Sequence, residues 1–206
     1  MTERSVPIPS HRGEGAAFAG AVGGLVVVAM LVFLGRVSGG PDHPGWAAGL
    51  MSDVAVFGGP FAAALFARGL GIDSRRGTWL AAGIVAIASP FVLLSPSAML
   101  LVVPGVLLVA AGTLSPGGGK RSALALTVTL LAAAIAILGS MAFSEAACWY
   151  IRDGEWVKGP YGAIPGNYVC SQAFRGWASA AAGVGAWVVC LIALRLSDRR
   201  EAERRA

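Results

Sequence analysis

Six runs of mostly apolar residues divide the chain, each close to the ~20 residues that a helix rising 1.5 Å per residue needs to cross a bilayer. They fall at residues 16–37, 46–66, 78–94, 96–114, 122–143 and 174–196. The third, fourth and fifth hold no charged residue, whereas Asp53 interrupts the second. Only 13% of the 206 residues are charged and mean hydropathy is +0.70, against about 25% charged in a soluble domain. That excludes a soluble globular domain and a disordered chain. The fold class expected is an all-α integral membrane protein with six transmembrane helices in one polytopic domain, residues 16–196. The first apolar run exceeds the ~7–15 residues of a signal-peptide core, so it reads as a span and not as a cleaved leader.

Charge sets the expected orientation. Of the 16 basic residues, twelve fall on one side if the N-terminus is cytoplasmic: Arg4, Arg12, Arg68, Arg75, Arg76, Lys120, Arg121, Arg195, Arg199, Arg200, Arg204 and Arg205. Arg36, Arg152, Lys158 and Arg175 fall on the other. Cytoplasmic loops carry such an excess of Lys and Arg. A five-helix alternative, in which 46–66 does not span, is nearly as asymmetric. Six spans are preferred because 46–66 is long enough and one Asp costs only ~3 kcal/mol on insertion scales. Residues 1–15 read as a disordered cytoplasmic tail and 197–206 as a basic cytoplasmic tail continuing the last helix. The Arg-, Ala-, Gly- and Val-rich composition suggests a high-GC bacterium, hence an inner or plasma membrane. A pI near 9.6 reflects this sidedness, and nucleic acid is not expected as a partner.

The longest connection, residues 145–173, faces outward. Within it, 149–158 has the pattern of a β-hairpin turning at Asp153-Gly154, the dipeptide favoured where both turn residues need positive φ. That register sets Arg152 opposite Glu155, Ile151 opposite Trp156, Tyr150 opposite Val157 and Trp149 opposite Lys158. Cys148 and Cys170 bracket the loop on an oxidising side, where a disulfide staple can persist. Tyr150, Arg152, Glu155 and Trp156 are the candidate interaction surface, since aromatic and Arg side chains anchor protein interfaces.

Inside the bilayer few groups can do chemistry. Asp53 is an intramembrane carboxylate, with Arg36 or Arg175 as possible partner. Ser52 lies beside it, while Ser89, Thr127, Thr129, Ser140 and Ser179 are scattered along the sequence. Gly58-Gly59-Pro60 can break the second span, as transporter helices do, or merely kink it. Pro90 and Pro104 also lie within spans. Gly20-x-x-x-Gly24, Gly45-x-x-x-Gly49 and the Ala178, Ala182, Ala186 face allow close helix packing, within the chain, with a second copy or with a partner. His11 and His43 are too far apart for a metal pair or a catalytic dyad. Gly117-Gly118-Gly119-Lys120 lacks the full phosphate-loop spacing. No catalytic residue, metal or cofactor is expected.

The expected function is a non-enzymatic membrane component, such as an accessory subunit, assembly factor or sensor presenting the outer loop. The alternatives are a small-solute or ion transporter using Asp53, and a lipid-modifying membrane enzyme using Asp53 or Glu145.

Overall fold

The computed structural model describes residues 13–38, 46–69, 75–93, 96–115, 119–143, 147–159, 168–171 and 177–204. Arg175 and residues 1–12 lie outside the described residues, as do the side chains of Arg36, Cys148, Tyr150, Arg152, Trp156 and Cys170.

The chain begins with α1 (Glu14–Ser38). A second helical rod follows, formed by α2 (Trp46–Asp53), a π-helical turn (Val54–Gly58) and α3 (Gly59–Gly69). Then come α4 (Arg75–Leu93), a 3₁₀ stretch (Pro96–Leu101) that leads into α5 (Val102–Leu114), and α6 (Lys120–Ala142). Strands β1 (Ala147–Arg152), β2 (Glu155–Gly159) and β3 (Tyr168–Ser171) precede α7 (Trp177–Glu203). Four helical segments are long and apolar enough to cross a membrane: Glu14–Leu34, Ala47–Gly69, Lys120–Ala142 and Trp177–Arg200. Ala98–Leu114 is a shorter apolar helix.

One expectation needs correction. The fourth run does not start as an α-helix at Pro96; its first six residues are the 3₁₀ stretch, and the α-helix begins at Val102. The last helix runs unbroken to Glu203, so the tail is helical as far as that residue. Gly58-Gly59-Pro60 does not break the second run, because the helix passes through it by widening into the π turn.

The packing places small side chains inside and large apolar ones outside. Ala17, Ala21, Ala63, Ala64, Ala67, Ala81, Ala82, Ala111, Ala125 and Ala136 are buried, while Val26, Met30, Phe33, Val103, Leu131, Leu138 and Val189 are exposed. Helices meeting in lipid gain little from burying large apolar groups, so they approach through small residues. Gly20 lies against the Pro104 carbonyl and Leu107 of α5, and Gly24 against the Phe61 ring, so this glycine pair serves the bundle's own packing. Gly139 likewise meets Ala182 across α6 and α7.

The rod of α2 and α3 is central. In an apolar 18-residue stretch of the Ala47–Gly69 segment 56% of residues are buried, against 33% in the matching stretch of each of the other three, and its hydropathy of 1.6 is the lowest of the four. Both facts have one cause: this segment packs on protein more than it faces lipid, so it needs less apolar character. α1 lies beside α5 and α3, α4 between α5 and α6, and α6 beside α7.

Two of the internal prolines free carbonyls that side chains then re-satisfy. In a π turn the residue five positions on donates to each carbonyl. For Ala55 that residue is Pro60, which has no N–H. The Trp187 indole Nε1 donates to the Ala55 carbonyl instead, at 2.9 Å. In α4, Pro90 cannot donate to the Ala86 carbonyl four residues back, and the Ser89 hydroxyl donates there at 2.7 Å. Such replacement is what lets a membrane bundle keep proline within a helix. Trp79 Nε1 also donates to the Ala64 carbonyl at 3.3 Å, so tryptophans from both sides fasten the central rod.

Charged side chains close the bundle end opposite the strands. Arg75 forms an ion pair with Glu14 at 2.6 Å and stacks on Trp79, 5.7 Å from the ring centre. Arg68 lies over Phe18 at 5.1 Å. These contacts join the start of α1 to the junction of α3 and α4.

Candidate functional site

At the strand-bearing end, three helices each contribute one serine to a single point. Ser52 sits one residue before the end of α2, Ser140 two before the end of α6, and Ser179 two after the start of α7. Ser52 Oγ lies 2.8 Å from Ser179 Oγ and 3.3 Å from Ser140 Oγ, and Ser179 donates to Ser140 Oγ at 3.1 Å. All three are 0% exposed. A hydroxyl donates one bond and accepts two, so three of them in a ring satisfy one another without water. Two of the serines scattered along the sequence, Ser140 and Ser179, are therefore brought together with Ser52 in space, whereas Ser89 is not. The available signal was depth: each lies within about two turns of the same end of its helix.

This ring is a clasp. A serine nucleophile needs an adjacent base. Asp53 follows Ser52 in sequence, but neighbouring helical residues point about 100° apart and do not face each other. Asp53 is half-buried at the last position of α2, where the rod enters the π turn. Its expected partners, the Arg36 side chain and Arg175, lie outside the described residues. Among the described residues no group of three or more His, Cys, Asp or Glu is placed to hold a metal ion.

Ser179 makes the most contacts in the clasp, because its one hydroxyl proton lies within reach of both Ser140 Oγ, at 3.1 Å, and the Ser140 carbonyl, at 3.3 Å. Ser179→Ala is expected to cost about 1 kcal/mol and Ser52→Ala less, because Ser140 and Ser179 remain bonded to each other. Replacing all three by alanine should cost little more than Ser179→Ala, since no buried hydroxyl is then left unpaired. Thermal unfolding in detergent measures this; strictly additive losses would contradict the ring.

Beyond α6 the connection folds into a three-stranded antiparallel sheet in the order β2-β1-β3. Asp153 at φ 55° and Gly154 at φ 86° carry the turn between β1 and β2. Trp149 pairs with Lys158, Tyr150 with Val157, Ile151 with Trp156 and Arg152 with Glu155. The third strand has no counterpart in the sequence reading. β3 lies on the other edge of β1, with Cys148 opposite Cys170, Trp149 opposite Val169 and Tyr150 opposite Tyr168. Alternation along a strand puts positions 148, 150, 152, 155, 157, 168 and 170 on one face. Position 156 belongs to the other face, so the four residues grouped as one interaction surface divide between two. Glu155 is exposed.

A cleft of about 460 Å³ lies between the central rod, α4 and α6, lined by apolar side chains and by Ser89. Asp53 and the three clasp serines are not among its lining residues. No protein-family model, curated protein or solved structure matches the chain.

Proposed function

We propose that the protein is a non-enzymatic component of a bacterial inner or plasma membrane. It crosses the bilayer six times, keeps both termini in the cytoplasm, and presents the three-stranded sheet to a protein partner on the outer side. One observation carries this reading: the sheet is inserted between α6 and α7 at the end where Ser140, Ser179 and Ser52 tie those helices to the central rod. The clasp gives the sheet a fixed base, and the polar groups beneath it bond to each other. A transport site would instead gather polar groups around a solvated cavity at one depth. Arg68, Arg75, Arg76, Lys120, Arg121 and the arginines late in α7 belong to the opposite end, which supports a cytoplasmic assignment for it.

The sheet is fastened, in this reading, by a disulfide between Cys148 and Cys170. Directly opposed positions on antiparallel strands are about 4.5–5.5 Å apart at Cα, within the ~4.4–6.8 Å that a disulfide spans. On intact cells, Cys148 and Cys170 should resist a membrane-impermeant maleimide until a reductant is added, then label from outside. Free labelling without reductant would rule out the bond, and no labelling after reduction would place the sheet on the other side.

The partner surface is the face holding Tyr150, Arg152 and Glu155. Purified in mild detergent from its own membranes, the protein should retain a stoichiometric partner that Tyr150→Ala releases while the unfolding temperature stays unchanged. Retention of the partner by Tyr150→Ala and also by Tyr150→Glu would remove this face from the reading.

A further inference from the structure

The cleft between α4, α6 and the central rod is a second feature with a stated shape and chemistry. Its floor is Pro60 and Phe61, both fully buried. Along α6 it runs from Leu130 to Met141, and along α4 it takes in the stretch from Val85 to Ser89. At the opposite end the same two helices touch at backbone level: a Cβ on Gly77 would collide with the Ser122 carbonyl and the Leu126 backbone nitrogen. α4 and α6 thus diverge toward the sheet, and the cleft fills the gap.

Three properties select its occupant. First, Leu130 to Met141 rises about 16 Å along the helix, which is about half of the ≈30 Å hydrocarbon core. The α6 wall of the cleft is thus about one leaflet long. Second, its rim at Ala88, Ala134 and Met141 is exposed and continuous with the outward apolar surface formed by Ile84, Phe91, Leu131, Ile135 and Leu138. Third, the hydroxyl that lines it, Ser89, is already committed to the Ala86 carbonyl. Nothing there asks for a polar ligand, and its volume of about 460 Å³ falls in the range of ordinary ligand sites.

We propose that this cleft holds one acyl chain of a membrane lipid from the leaflet on the sheet side, making that lipid a fixed part of the bundle. The proposal rests on the reading that these helices cross a bilayer. The occupied chain would contact the rod where it carries the π turn, on the side away from Trp187.

The test uses the full chain in vesicles of phosphatidylethanolamine and phosphatidylglycerol. A small fraction of the phosphatidylglycerol carries a diazirine midway along one acyl chain. After photolysis, label should be several-fold denser on 85–89 and 130–141 than on the outward face of α1 around Val26 and Met30. Ala134→Trp should lower cleft labelling to the α1 level and leave α1 labelling unchanged. Ala88→Trp, filling from the opposite wall, should do the same and guards against misfolding of either variant. Cleft label equal to α1 label in the parent would overturn the proposal, and so would cleft label that survives in both folded variants. Cross-linking between copies through cysteine placed at 134 would assign the cleft to a second chain instead. Absence of label from every helix would overturn the membrane-spanning reading itself.

Discussion

Trp187→Ala is expected to lower stability by about 3 kcal/mol or more, read as a large fall in unfolding temperature in detergent. Trp187 is 6% exposed, and its indole fills the space left by Gly59, whose missing Cβ would otherwise collide with the ring. Removing the ring empties that space and also strands the Ala55 carbonyl, whose π-turn donor position is occupied by Pro60. The two losses can be separated. Trp187→Phe keeps most of the ring and deletes only the N–H, so it should cost about 1–2 kcal/mol. Gly59→Ala should destabilise in the same direction by pushing the indole away from the carbonyl. If Trp187→Phe behaves as the parent, the Ala55 carbonyl does not depend on the indole and the account of the π turn fails.

What could be read in the sequence was what lipid selects for. The runs 16–37, 122–143 and 174–196 stood out because lipid selects apolar side chains on the outer faces of those helices, and the described helices Glu14–Ser38, Lys120–Ala142 and Trp177–Glu203 cover most of each. The run 46–66, interrupted by Asp53, is also the least apolar of the four candidate spans for a reason visible only in the packing: hydropathy measures affinity for lipid, and the central rod meets protein. Pro60 and Pro90 were legible as places where carbonyls lose their donors. The replacements, Trp187 from 132 positions away from Ala55 and Ser89 from three positions away from Ala86, differ in kind. The second could have been read locally, but the first depends on which helices touch. The serine clasp was missed for the same reason, since Ser52 and Ser179 are 127 positions apart. The acyl-chain cleft left no sequence signal at all, because its walls are ordinary apolar residues. It exists through the divergence of α4 from α6, a property of the backbone.

Gly24→Ala and Gly23→Ala, one residue apart in α1, are expected to give opposite results. Each gains the same ~0.5–1 kcal/mol that alanine holds over glycine within a helix. Their difference therefore isolates what the new Cβ meets. At Gly23 nothing lies within 4 Å, so that variant should be as stable as the parent or slightly more so. At Gly24 the Cβ would enter the Phe61 ring, and the clash reaches Cγ, close to the root of the side chain, where a rotamer change gives little relief. Phe61 is 1% exposed and packed with Val28, Ala64 and Trp79 in the same buried cluster, so it cannot withdraw without opening that cluster. Overpacking of this kind costs about 1–3 kcal/mol, and Gly24→Leu should exceed it. The relief that remains is for α1 to move away from the central rod, which would also strain the Arg68–Phe18 and Arg75–Glu14 contacts at the far end of the bundle. Gly24→Ala should accordingly lower the unfolding temperature and Gly23→Ala should not. Equal effects at the two positions would mean that Gly20 and Gly24 do not form the face by which α1 joins this bundle.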